Sequence, residues 1–181
     1  MALPIIPYDR KAAVRYAHQW AFSRNPAFYD YDELGGDCTN FASQCLYAGT
    51  GVMNFTPTYG WYYIDANNKA PAWTGVAYFY NFITRDEISP GPFGVETTLD
   101  HLEPGDFIQF RFNKEAFGHT PIIVAMGEPP TLDNTLVAAH SYDADWRPVS
   151  SYFFQEIRFL HILGAYAPQP WPQMPGPRPP V

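Results

Sequence analysis

Cysteine is scarce in this chain, with only Cys38 and Cys45 among 181 residues. That excludes a disulfide framework. If the two share one helix, their seven-residue spacing is about 10 Å of rise, beyond the ~7 Å that a disulfide tolerates between Cα atoms. Two free thiols with different roles are therefore expected. Basic residues are also few, 11 Lys and Arg against 18 Asp and Glu, and the net charge of −7 would repel a phosphate backbone. Nucleic acid is excluded as a partner on that ground. No apolar run approaches the ~20 residues that span a bilayer. The start, Met1-Ala2-Leu3-Pro4-Ile5-Ile6-Pro7, lacks a basic stretch followed by a long apolar one, so no secretory signal is visible.

Aromatic residues are abundant, with 14 Phe, 13 Tyr and 5 Trp. They provide for a large core, or for a groove lined by Tyr59, Trp61, Tyr62, Tyr63 and Trp73. The length suits one domain, expected over 1–167, with a proline-dominated tail or linker over 168–181 that cannot pack as helix or sheet. Asp9 is placed to cap a first helix running to Phe22, with an apolar stripe of Ala13, Tyr16, Ala17, Trp20 and Ala21. A second helix is expected from Cys38 to about Tyr47, capped by Asp37 and stopped by Gly49. Residues 50–72 read as aromatic loop, and a short helix fits Trp73 to Thr84. Past Pro90-Gly91-Pro92 the pattern turns to strands, at Asp106–Phe112, Thr120–Met126, Leu136–His140 and Gln155–Leu163. Helices first and an antiparallel sheet afterwards make an α+β domain.

The string Gly35-Gly36-Asp37-Cys38-Thr39-Asn40-Phe41 places a cysteine on the first turn of a helix. Helix N-termini favour thiolate over thiol, and their free N–H groups can hold an oxyanion. Cys45 lies among Phe41, Ala42 and Leu46, as an inert packing thiol would. A nucleophilic cysteine needs a base. His18 and His161 sit in helix and apolar strand, as structural residues would, and His101 sits in a loop. His119 opens one strand and His140 closes the next, so a hairpin would bring them together as base and orienting group. Paired C-x₂-C and H-E-x-x-H spacings are missing, so neither a metal nor another cofactor is expected.

The Gly-Gly-Asp-Cys-Thr-Asn-Phe string with Ser43-Gln44, the Leu102-Glu103-Pro104-Gly105-Asp106 entry to a strand, and the His119 strand resemble an amidase-domain family. That family is similar in plan to the NlpC-type and CHAP cell-wall peptidases. The resemblance runs from Tyr8 to about His161 and implies a papain-like fold. It implies Cys38 as nucleophile, His119 as general base and His140 as the third, orienting residue, with Asp143 and Asp145 as alternatives for that last role. Asp37 could contact substrate, and Tyr31 could hydrogen-bond near the oxyanion. The implied activity is thioester-mediated hydrolysis of peptide or amide bonds in bacterial cell wall, in an extracellular or envelope setting. Oligomeric state is open. The other readings are a non-catalytic binding module for cell-wall glycan or peptide, and an acyltransferase using the same thioester.

Overall fold

A computed structural model describes residues 2–168, so the proline-rich 168–181 stretch lies outside the described residues except for Pro168. The elements in chain order are β1 (Ile5–Ile6), α1 (Arg10–Trp20), α2 (Cys38–Thr50), β2 (Tyr63–Asp65), β3 (Asn68–Lys69), α3 (Pro71–Thr74), α4 (Val76–Ile83) and β4 (Gly91–Thr97). Then follow β5 (Phe107–Arg111), β6 (Ile122–Met126), β7 (Thr135–Ala139), β8 (Ala144–Pro148) and β9 (Glu156–Tyr166). Seven strands form one antiparallel sheet in the order β1-β9-β5-β6-β7-β8, with β4 on the other side of β9. The architecture is α+β, helices first. Among the described residues no helix is long and apolar enough to cross a membrane.

The first helix follows its cap and stripe. The Asp9 carboxylate accepts the Ala12 N–H at 2.9 Å, and Ala13, Tyr16 and Ala17 are buried. The second helix is buried on nearly every side, which its mixed composition would not suggest. Its polar residues are buried because each has a partner, as low-dielectric surroundings require. Asn40 accepts the Trp73 indole N–H at 2.9 Å, Ser43 accepts that of Trp61 at 3.0 Å, and Gln44 accepts the Tyr16 hydroxyl at 2.7 Å. Trp61, Tyr63 and Trp73, expected as possible groove residues, are therefore core; of the five aromatics named for that groove, Tyr59 is exposed. Burial offers roughly 25 cal/mol per Å² of apolar surface, and the indole N–H groups find acceptors on α2, so both parts of each Trp favour the interior.

Three expectations are corrected. Gly49 does not end α2; the helix continues to Thr50, and Gly51 takes the left-handed cap at φ 66°. The expected helix at Trp73–Thr84 is two helices broken at Gly75, whose backbone is extended. The Pro90-Gly91-Pro92 break contains the start of β4, and proline is tolerated there because β4 pairs with β9 alone.

Gly49 is instead required by close approach. A Cβ there would lie 2.3 Å from a Tyr8 ring carbon and 2.7 Å from the Asp9 carbonyl, where the Asp9 N–H already bonds the Gly49 carbonyl. Gly49→Ala should therefore lower unfolding free energy by about 1–3 kcal/mol despite alanine's higher helix propensity. Denaturant titration checks this; an unchanged or raised midpoint contradicts the packing account.

Candidate active site

Cys38 begins α2 and opens into a cleft of about 810 Å³ that is also lined by His119, Ser141, Arg147 and Tyr152. The thiol is 7% exposed. It donates to the Gly118 carbonyl at 3.9 Å and lies 3.7 Å from the Thr39 hydroxyl, and it has no hydrogen bond to the neighbouring His119 ring. Burial pushes the Cys38 thiol up, and the adjacent Asp37 charge adds to this; N–H groups of Thr120 and Thr39 and the Thr39 hydroxyl pull it down less strongly. The expectation of a resting thiolate is thus reversed, because desolvation exceeds the favourable helix terminus. Cys45 is fully buried and its thiol is pushed up much further by desolvation.

His119 sits just before β6, held by a backbone bridge to Phe110. Its ring lies among aromatic neighbours, 5.7 Å from Tyr152 and 6.2 Å from both Phe110 and Phe112, centre to centre. Burial, and then the positive charge of Arg147, push its pKa down to about 4. At neutral pH the imidazole is uncharged and free to accept a proton. The pair at rest is a neutral thiol beside a neutral base.

His140 is placed elsewhere. One ring nitrogen is 2.5 Å from an Asp37 carboxylate oxygen, the other is 2.8 Å from the Trp20 carbonyl, and the ring stacks on Phe41 at 3.9 Å. Both nitrogens face acceptors, so neither is left to orient His119. The cause is strand parity. Ile122 opposes Ala138, and extending this register puts His140 opposite Thr120, on the α2 face, while His119 faces the Phe110–Tyr152 side. Asp143 and Asp145 do not orient His119 either, since Asp143 pairs with Arg24 and Asp145 with His18.

Asp37 and Tyr31 also lie away from the reacting atoms. Asp37 precedes α2 but its side chain makes no cap bond. Buried, it accepts the Tyr31 N–H at 2.9 Å and the Asn40 amide at 2.8 Å besides meeting His140. The Tyr31 hydroxyl donates to the Ala66 carbonyl at 2.9 Å. Ser141 has a role that the sequence does not announce: its hydroxyl accepts the Asp37 N–H at 2.7 Å and donates to Asp32 at 2.9 Å. Gly36, at φ 109°, leaves room for that hydroxyl, which would lie 3.2 Å from a Cβ. Tyr152 and Arg147 are likewise unannounced, because they follow the β7 hairpin in a stretch with no motif. Arg147 could have been noticed as one of only 11 basic residues. Groups of three or more His, Cys, Asp or Glu suited to a metal are absent among the described residues.

Leaving buried hydrogen-bonding groups unpaired costs about 1–3 kcal/mol each, and Asp37 serves three of them, whereas an exposed ion pair is worth about 1 kcal/mol or less. Asp37→Asn should therefore destabilise the fold by several times as much as Asp143→Asn, measured by denaturant unfolding. Equal effects would contradict the role given to the Asp37–His140 contact.

Comparison with known proteins gives the family of the chain. An uncharacterized protein of Bacillus subtilis, YhbB, is 33% identical over 166 residues, which is 86% of this chain and 50% of that protein. The chain thus spans about half the length of the relative. No solved structure matches it significantly. The family model described as "Putative amidase domain" matches residues 7–163, nearly all of the described fold. The chain belongs to that amidase-domain family.

Proposed function

We propose that this amidase-domain protein is a cysteine-dependent amide hydrolase of papain-like plan, with its catalytic domain over 1–167. The observation that carries this reading is the meeting of Cys38, on the first turn of a helix, and His119, from the sheet, in one cleft. As substrate enters and water leaves, His119 takes the thiol proton while sulfur attacks the amide carbonyl. The N–H groups of Cys38 and Thr39 lie in the first turn of α2, where helical acceptors are missing, and can receive the oxyanion. The imidazolium returns its proton to the leaving amine as the carbon–nitrogen bond breaks. Water, deprotonated by His119, then cleaves the thioester and restores the thiol. Peptide or amide bonds of bacterial cell wall are the substrate class suggested by the likeness to NlpC-type and CHAP peptidases.

Cys38→Ala should abolish turnover. His119→Ala should lower kcat/KM by about 10²–10⁴-fold, the usual contribution of a general base. Cys45→Ala should leave turnover intact and cost only packing stability. Assay on digested peptidoglycan with product mass spectrometry checks all three, and near-normal turnover in His119→Ala would overturn the mechanism.

The depressed His119 pKa gives a pH test with a definite sign. The unfolded chain takes this proton near 6.5, whereas the folded chain resists it to about 4. Between these values the unfolded state binds more protons, so stability falls as pH falls through the window and is untouched above it. The base should stay unprotonated across the same window, placing the acid limb of kcat/KM near 4 rather than 6.5. His119→Phe should flatten the stability slope there. An acid limb at 6.5 would contradict the buried, neutral imidazole.

A further inference from the structure

The cleft carries positive charge that hydrolysis does not use. Asp32 is the acidic side chain lining it, and Asp32 is already engaged by Arg24 and by the Ser141 hydroxyl. Lys114 also lines the cleft, and its ammonium has no hydrogen bond or ion pair among the described residues. Arg147 is held in place. Its Nε donates to the Ser151 hydroxyl at 2.8 Å, its Nη2 to the Ser151 carbonyl at 3.3 Å, and its guanidinium lies 3.7 Å above the Tyr152 ring. No carboxylate pairs with its guanidinium among the described residues, where its partners are Ser151 and Tyr152.

An orienting bond on one edge and an aromatic support below fix an arginine while leaving a donor edge open, which is how a planar anion is received. Two cations without carboxylate partners lining one cleft with Cys38 are unexpected in a chain of net charge −7. Arg147 also opposes the chemistry when the cleft is empty, since His119 must become positive during attack and the guanidinium disfavours that. A bound anion would remove the conflict.

We propose that the cleft selects amides that carry a carboxylate next to the scissile bond, received by Arg147 and Lys114. The inference rests on the cysteine hydrolase reading and narrows its substrate class. It also makes catalysis depend on the correct ligand: the substrate's negative charge offsets Arg147 and so supports the imidazolium that the first step creates. A neutral amide of equal size would bind without that help.

The test compares alkylation of Cys38 by iodoacetate and by iodoacetamide, which differ in one negative charge and need the same thiolate. Native protein and unfolded protein are labelled in parallel, and the peptides are mapped. In native protein the iodoacetate-to-iodoacetamide rate ratio should exceed that of the unfolded chain by about tenfold at low salt, as focused charge in a cleft allows. It should fall towards the unfolded ratio in Arg147→Gln and in Lys114→Gln; Lys114 is exposed, so its variant leaves the fold undisturbed. N-acetylglutamate should protect Cys38 against iodoacetamide, and N-acetylglutamine should not. Equal native and unfolded ratios would overturn the carboxylate inference while leaving the hydrolase reading standing. Protection by inorganic phosphate as strong as that by N-acetylglutamate would overturn it too, showing general anion attraction. Undiminished turnover of digested peptidoglycan by Cys38→Ala would overturn the hydrolase reading itself.

Discussion

One buried carboxylate, that of Asp37, holds the active cleft together. Its oxygens meet a backbone N–H of the preceding loop, a side chain one turn into α2, and an imidazole from the end of β7. Arg24, 3.9 Å away, extends the contact to Asp30, Asp32 and Asp143 on the surface. The loop before α2, the first turn of α2 and the distant end of β7 thus converge next to Cys38. A charged group can remain in such a place only if it is fully surrounded by partners, and the surrounding partners are what fix the position of Cys38. Asp37 and His140 are accordingly bonded to one another and to the surrounding backbone and α2.

The sequence makes the helices and the placement of Cys38 at a helix start legible because their signals are local. The Asp9 cap, the stripe from Ala13 to Ala21 and the glycine pair before Cys38 each act within a few residues. Strands β5, β6, β7 and β9 were legible to within a few residues by alternation or apolar run. What remained hidden is set by contacts across the chain. β8, with the sequence Ala-Asp-Trp-Arg-Pro, carries no alternating pattern because it lies at the sheet edge and buries little. The face on which His140 projects depends on a one-residue register, and parity of that kind cannot be read from a hairpin of unknown turn length. The direction of the Cys38 shift is hidden for a similar reason: helix termini are visible in sequence, whereas the burial that raises its pKa is set by the tertiary fold.

The aromatic richness divides between two layers with different uses. Trp61, Trp73 and Phe79 fill the helical side of the sheet, whose indoles are bonded to α2. Phe110 and Tyr152 belong to a second cluster on the opposite face, where they surround His119. The second cluster supplies both stability and chemistry, since the same rings that exclude water lower the affinity of the imidazole for a proton. Tyr152 also supports Arg147, whose guanidinium lies 3.7 Å above its ring.

Strand β9 is long enough to connect two distant parts of the molecule. Near its start Ile157 opposes Phe110, the residue bridged to His119, and at its end Tyr166 opposes Ile5. At ~3.3 Å per residue these points are up to about 30 Å apart. The Ala167 N–H bonds the Pro4 carbonyl at 2.9 Å, so the two ends of the described fold meet at the far end of this strand from the cleft. Entry and exit at one point, remote from the reacting groups, is the geometry of a unit that can be spliced into a larger chain without obstructing its own cleft. The Bacillus subtilis relative, about twice as long as the region matched, has room for further chain beyond such a unit.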